Sequence, residues 1–239
     1  MLESGKPFEN DTPLGFLEQV ARVATSRRVF LSWAGATIAV SAIGCSSKSK
    51  NPASPGSSGV NFGTGDTAVL NYAYALEQLE AAFYTQVIAT PYTGITTGEL
   101  SLLTDIRDHE VIHRNFLKTA LGASAIAALS VNFASVNFSS RASVLGAART
   151  FEDLGVSAYN GAGQLITSDT YLTLAGKIVS VEARHAAAIR DLLSPGTAAF
   201  AGNDVVAVST GLDVQRSPSQ VLVLASTYVT TSINRGDLP

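Results

Sequence analysis

Chemistry enters this sequence through one pattern that occurs twice: Glu110-Val111-Ile112-His113 and Glu182-Ala183-Arg184-His185. The chain has three histidines in 239 residues, so two of them falling in one motif is a signal that neither would give alone. Residues three apart share a helix face, and each Glu-x-x-His can therefore present a carboxylate and an imidazole to one point. Two further glutamates, Glu77 and Glu152, stand upstream. Each is followed two helical turns later by a tyrosine, Tyr84 and Tyr159. Glu77 precedes Glu110 by 33 residues and Glu152 precedes Glu182 by 30, so the chain reads as two similar halves of the form Glu, Tyr, Glu-x-x-His.

Four carboxylates and two imidazoles are a donor set for two divalent metal ions a few ångströms apart. Two of the glutamates can bridge both ions while each Glu-x-x-His serves one. Oxygen-rich ligation with one imidazole per metal suits iron, with manganese as the alternative. The four negative charges offset the four positive charges of the ions. Without metal, the same carboxylates on an apolar face would repel one another and lose their hydration. The surrounding positions are apolar, among them Leu70, Ala73, Leu103, Ile106, Ile178 and Ile189. A solvent-facing position is a real alternative for any one glutamate, less so for the set of six.

These side chains need four long helices to bring them together. Apolar periodicity places helices at about 66–88, 98–121, 141–166 and 169–193, with a shorter fifth from Pro218 to Tyr228. Asp66 or Thr67 can cap the first, Thr96 with Glu99 forms a capping box for the second, and Ser217 caps the fifth. Gly122 and Pro195-Gly196 are stops. The longest interhelical stretch, 123–139, lies between the second and third helices, where a four-helix bundle with one long crossover places it.

At these residues the sequence resembles the ferritin-like superfamily, most closely its exported bacterial and desiccation-related branch. The run Leu76-Glu77-Gln78-Leu79-Glu80-Ala81-Ala82-Phe83-Tyr84 carries the resemblance together with the two Glu-x-x-His motifs. It implies an all-α, ferritin-like four-helix bundle over about residues 65–195. It also implies metal ligation by Glu77, Glu110, His113, Glu152, Glu182 and His185, with Glu110 and Glu182 bridging and Glu77 and Glu152 terminal. Tyr84 and Tyr159 match positions beside the ligands, and ordinary core packing is an equal reading for them. Many relatives have an Asp just before the Glu of Glu-x-x-His, where it orients a histidine across the bundle. Here His109 and Val181 stand there, and His109 is expected at the surface rather than as a ligand. Glu80, one turn from Glu77, is an extra ligand or else a salt-bridged or solvent-facing residue.

The N-terminal region has a different character. Arg27-Arg28 precede an uncharged apolar run from Val29 to Gly44 that is shorter than the roughly 20 residues of a membrane-spanning helix. This resembles a twin-arginine export signal, and Ala42-Ile43-Gly44-Cys45 resembles a lipoprotein processing site with Cys45 as the lipidated residue. Residues 1–45 are read as signal, 46–64 as a Ser/Pro/Gly tether and 196–239 as a C-terminal extension. The alternative is an uncleaved anchor. The single cysteine excludes an intramolecular disulfide and a Cys-rich zinc site. A net charge of -3 gives no basic footprint for nucleic acid.

The functional expectation is an exported, envelope-located protein, membrane-anchored through a lipid on Cys45. Its di-metal carboxylate site would oxidise Fe(II) or reduce peroxide or oxygen. The alternative is a non-enzymatic metal-binding or stress-protective envelope protein. A lipidated tether on each subunit disfavours a closed storage cage. A homodimer stays open, and no motif identifies an electron donor.

Overall fold

A computed structural model describes residues 59–239, so the segment read as a signal, with Cys45, and most of the segment read as a tether lie outside the described residues. The element order is β1 (Val60–Asn61), α1 (Gly65–Ala89), α2 (Thr97–Leu121), α3 (Arg141–Ala162), α4 (Asp169–Leu193), α5 (Pro218–Ala225) and β2 (Ile233–Asn234). The structure is all-α apart from β1 and β2, which pair in parallel. Helix α1 packs on α2 and α3 on α4, and α1 also touches α3. No helix among the described residues is long and apolar enough to cross a membrane.

Local chemistry explains most helix ends. At the start of α2, the Thr96 hydroxyl accepts from Glu99 N–H at 3.1 Å and the Glu99 carboxylate accepts from Thr96 N–H at 3.3 Å. This reciprocal pair satisfies two amides that the helix cannot. Ser217 and Gln220 do the same for α5. Three expectations need correction. Helix α3 ends at Ala162 and tightens into a 3₁₀ turn over Gly163–Leu165, short of Ile166. Helix α5 ends at Ala225, before Tyr228. Neither Asp66 nor Thr67 caps α1, which starts one residue after Thr64. The Asp66 carboxylate instead accepts from Thr167 N–H at 2.7 Å and Ser168 N–H at 2.9 Å, a tertiary demand at the entry to α4.

The crossover is held by buried amides and aromatic rings. Asn71 on α1 donates to the carbonyls of Phe62 and Ser124 and accepts from Ile126 N–H. Gln78 accepts from Leu129 N–H at 2.8 Å. Phe133 and Phe138 of the crossover pack on Phe83, at centroid distances of 5.7 and 5.9 Å. Each ring follows an asparagine whose side chain closes a local turn.

The two ends of the described chain meet. Within the segment read as tether, Val60 and Asn61 pair with Ile233 and Asn234, and Phe62 is fully buried. Alternation of Val60 and Phe62 with polar residues gives that short strand an apolar face to bury. The extension closes on α3, where Arg216 N–H donates to the Ser157 carbonyl at 3.0 Å. A Cβ built on Gly161 would come within 1.8 Å of the Arg216 carbonyl oxygen, so only glycine permits this approach. Gly161→Ala is expected to lift residues 214–217 from α3 and destabilise the fold by about 1–3 kcal/mol. Denaturant melts and faster proteolysis near Arg216 would register it.

Candidate metal centre

Each main helix delivers part of one interior cluster. Helix α1 supplies Glu77, Glu80 and Tyr84; α2 supplies Glu110 and His113; α3 supplies Glu152 and Tyr159; α4 supplies Glu182 and His185. Glu77, Glu110, Glu152 and Glu182 are all fully buried. His113 Nδ1 lies 2.8 Å from Glu182 Oε1, 3.5 Å from Glu77 Oε2 and 3.9 Å from Glu110 Oε2. His185 Nδ1 lies 2.9 Å from Glu110 Oε1, 3.5 Å from Glu152 Oε2 and 3.8 Å from Glu182 Oε2. The two halves repeat each other nearly ångström for ångström.

Two ligand groups emerge: Glu77, Glu110, His113 and Glu182, and Glu110, Glu152, Glu182 and His185. Within each, the donor atoms lie within 4.8 Å of one another. Glu110 and Glu182 belong to both groups, while Glu77 and Glu152 each belong to one. The fit to metal can be tested on hydrogen bonding. Among the described residues, eleven buried side-chain N or O atoms have no hydrogen-bond partner. Eight are Glu77 Oε2, both oxygens of Glu110, Glu152 Oε2, both oxygens of Glu182, and Nδ1 of His113 and of His185. Buried polar atoms are rarely left unpaired. These eight are close together yet poorly aligned with one another, as donors aimed at a shared centre are. The donor set fits two divalent ions.

The remaining oxygens of Glu77 and Glu152 are taken by the tyrosines. Tyr84 donates to Glu152 Oε1 at 2.5 Å and Tyr159 donates to Glu77 Oε1 at 2.6 Å. The sequence places each tyrosine on the face of its own helix's glutamate, but seven residues span about 10 Å along the axis. The contact is made across the bundle instead, where α1 and α3 run in opposite directions. The seven-residue spacing shared by both halves was the signal for it.

Electrostatics follow from burial and counter-charge. Burial would lower the imidazole pKa values, but Glu77 and Glu182 outweigh it at His113 and raise it to about 10. Glu152 and Glu182 do the same at His185, also to about 10. Burial, then repulsion from the other carboxylates, pushes Glu110 and Glu80 well above the carboxylate range. Burial lifts Glu152 to about 7 against the pull of His185. At Glu182 both histidines overcome burial and hold it down at about 2.

Two departures refine the sequence picture. His109 is exposed as expected, but its Nδ1 lies 2.9 Å from His185 Nε2 and the two rings stack 5.1 Å apart. Burial and the neighbouring histidines lower the His109 pKa. A neutral His109 can accept from His185 Nε2–H, so the proton that His185 gives up on binding a metal is the one on Nδ1. Val181, the counterpart on α4, offers His113 no such partner. His109→Ala is therefore expected to weaken one metal of the two by about 10–100-fold, which competition against a chromogenic chelator would resolve as one shifted affinity and one unshifted.

The second departure concerns Glu80. It is 3% exposed, and no salt bridge among the described residues involves it. Both the salt-bridged and the solvent-facing readings are thereby corrected. Room for it comes from α3, where a Cβ at Gly155 would stand 3.0 Å from Glu80 Oε1 and 3.7 Å from Glu182 Oε2.

A four-helix bundle with paired carboxylate and histidine groups at its centre defines a protein of the ferritin-like class. The sequence model of the ferritin-like domain family matches residues 65–195, more than half of the chain, and the protein belongs to that family. No match was found among curated proteins.

Proposed function

We propose that the protein is a di-iron carboxylate oxidoreductase of the cell envelope, with Fe(II) oxidation or peroxide or oxygen reduction as its activity. The observation that carries this is the convergence of eight partnerless buried donor atoms from four helices on one interior point. Glu77, Glu110, Glu182 and His113 would hold one ion and Glu152, Glu110, Glu182 and His185 the other, while Glu80, buried on the same helix as Glu77, belongs to neither group. Two ferrous ions, when bound, supply one electron each, which with two protons convert dioxygen to hydrogen peroxide or hydrogen peroxide to two waters. Iron is favoured over zinc or copper by the oxygen-rich donor set, with manganese as the alternative.

The chain's own residues keep that site ordered. Tyr84 and Tyr159 fix the rotamers of Glu152 and Glu77 by donating to one oxygen of each. His109 fixes the ring of His185. The apolar residues one turn away exclude water, which strengthens every electrostatic interaction inside. Location outside the inner membrane, with a lipid on Cys45, is supported by Arg27-Arg28, the apolar run and Cys45 in the sequence. Intact-mass analysis of the envelope form would read it as a chain that begins at an acylated Cys45.

Anaerobic loading with Fe(II), then exposure to dioxygen or peroxide, tests the activity. Two irons per chain and oxidant consumed in proportion are expected; a chain that holds fewer than one iron, or that consumes neither oxidant, sinks the reading. Metal bound without turnover would leave sequestration as the role.

Uptake should also be pH-dependent with a definite sign. In the metal-free fold His113 and His185, both raised to about 10, carry protons at pH 7, and burial with carboxylate repulsion shifts Glu110 towards its protonated form. Each histidine must lose its proton to become a ligand, so loading is expected to release about two protons from them, more with any Glu110 contribution, and to tighten as pH rises. Calorimetry in buffers of different ionisation enthalpy measures the number directly, and a heat independent of buffer would contradict it.

A further inference from the structure

An apolar cavity lies at one end of the bundle, beside the metal centre. Its buried wall includes Ala73, Leu76, Leu117, Tyr159 and Ile178. Ala73 is one turn before Glu77, Leu117 one turn after His113 and Ile178 one turn before Glu182, so this wall stands about 5 Å along each axis from the donors. Tyr159 belongs to both places, because its ring lines the cavity and its hydroxyl holds Glu77. The mouth is formed by half-buried Phe116, Ala120, Tyr171 and Leu174.

We infer that this cavity is a binding site for dioxygen that serves the metal centre, an inference that rests on the function proposed above. Two observations choose the occupant. The space available to the centre of a water-sized sphere is about 20 Å³, enough for one small molecule and too little for an alkyl chain. The lining offers almost no polar surface, and a water would need two to four polar partners to stay there. Hydrogen peroxide, with a hydroxyl at each end, meets the same desolvation cost. Dioxygen needs no hydrogen-bond partner and loses nothing in such a lining. The cavity therefore discriminates between the two oxidants and favours dioxygen as the substrate.

Xenon, apolar and electron-dense, is the probe. Crystals of the protein pressurised with xenon, with and without metal, are expected to show one xenon atom between Tyr72, Leu76, Leu117 and Ile178. An empty cavity, ordered water filling it against xenon, or a co-purified alkyl chain seated in it would each overturn the inference. Ala175→Leu, which adds bulk to the lining, is expected to raise the KM for dioxygen about tenfold with two metals per chain retained; an unchanged KM would also overturn it. The two readings fail separately. Xenon seated in a chain that binds no metal removes the function proposed above, whereas missing xenon in a chain that oxidises iron removes the dioxygen site alone.

Discussion

Replacing Glu182 with glutamine is expected to empty both metal positions together, whereas Glu77→Gln empties one. The reason is geometric. Glu182 contributes an oxygen to each of the two ligand groups, and Glu77 to one alone. Changes to residues that merely touch a ligand cost about 10–100-fold in affinity, and loss of a shared charged donor costs more at both ions at once. The electrostatics add to this. Glu182 is the carboxylate that both histidines hold ionised, at about 2. The isosteric amide keeps the shape and removes that charge. Metal content per chain, measured after equilibration with Fe(II) and gel filtration, should fall from two towards zero for Glu182→Gln and to about one for Glu77→Gln. Equal stoichiometry in the two variants would contradict the shared position of Glu182. Tyr159→Phe serves as the control for the opposite end of Glu77. It frees one oxygen without removing a donor, so the stoichiometry of two is expected to persist.

The second large effect is on stability, and its sign reverses with metal. His113 and His185 titrate at about 10 in the metal-free fold against 6.5 for an unperturbed histidine. A raised folded pKa contributes stability that is complete below 6.5 and is lost as pH rises through 10. Glu80 and Glu110 are raised as well, and Glu152 to about 7, so their contributions run the same way, lost above the ordinary carboxylate range. Glu182 opposes them only at about 2, below the working range. The metal-free protein is therefore expected to weaken steadily from pH 6 to pH 9. Bound metal does the reverse, because its competing protons leave over the same interval. An ion present at 1,000 times its Kd adds about 4 kcal/mol, and each kcal/mol moves the Tm of a domain this size by roughly 2–4 °C. Chelation should thus lower Tm by about 20 °C at pH 8–9 and by much less at pH 6. Calorimetric scans with and without chelator across that range would show a gap that widens with pH; a gap that is constant or narrows would be incompatible with the buried, protonated cluster.

The helices and the clustered carboxylate and histidine side chains are legible in the residues because both depend on local spacing. Three-residue and seven-residue intervals translate directly into a shared helix face, and Thr96-x-x-Glu99 writes its own helix start. Scarcity helped: with three histidines in the chain, a repeated Glu-x-x-His could not pass unnoticed. Charge helped too, since four glutamates among apolar neighbours need counter-charge wherever the chain puts them.

Tertiary structure decided what spacing cannot express. Which tyrosine meets which glutamate depends on the antiparallel run of α1 and α3, and the answer crosses the bundle. Asp66 had the local chemistry of a cap and was claimed by Thr167 and Ser168, about a hundred positions away. His109 had the composition of a surface residue and lies against His185 because two helices happen to meet there. Glu80 had a plausible solvent face until Gly155, on another helix, left it room inside. The sequence determined the six carboxylate and histidine side chains that cluster and the four helices that carry them, because helix periodicity is a short-range property. The contacts that orient those side chains are long-range, and only packing could choose among them.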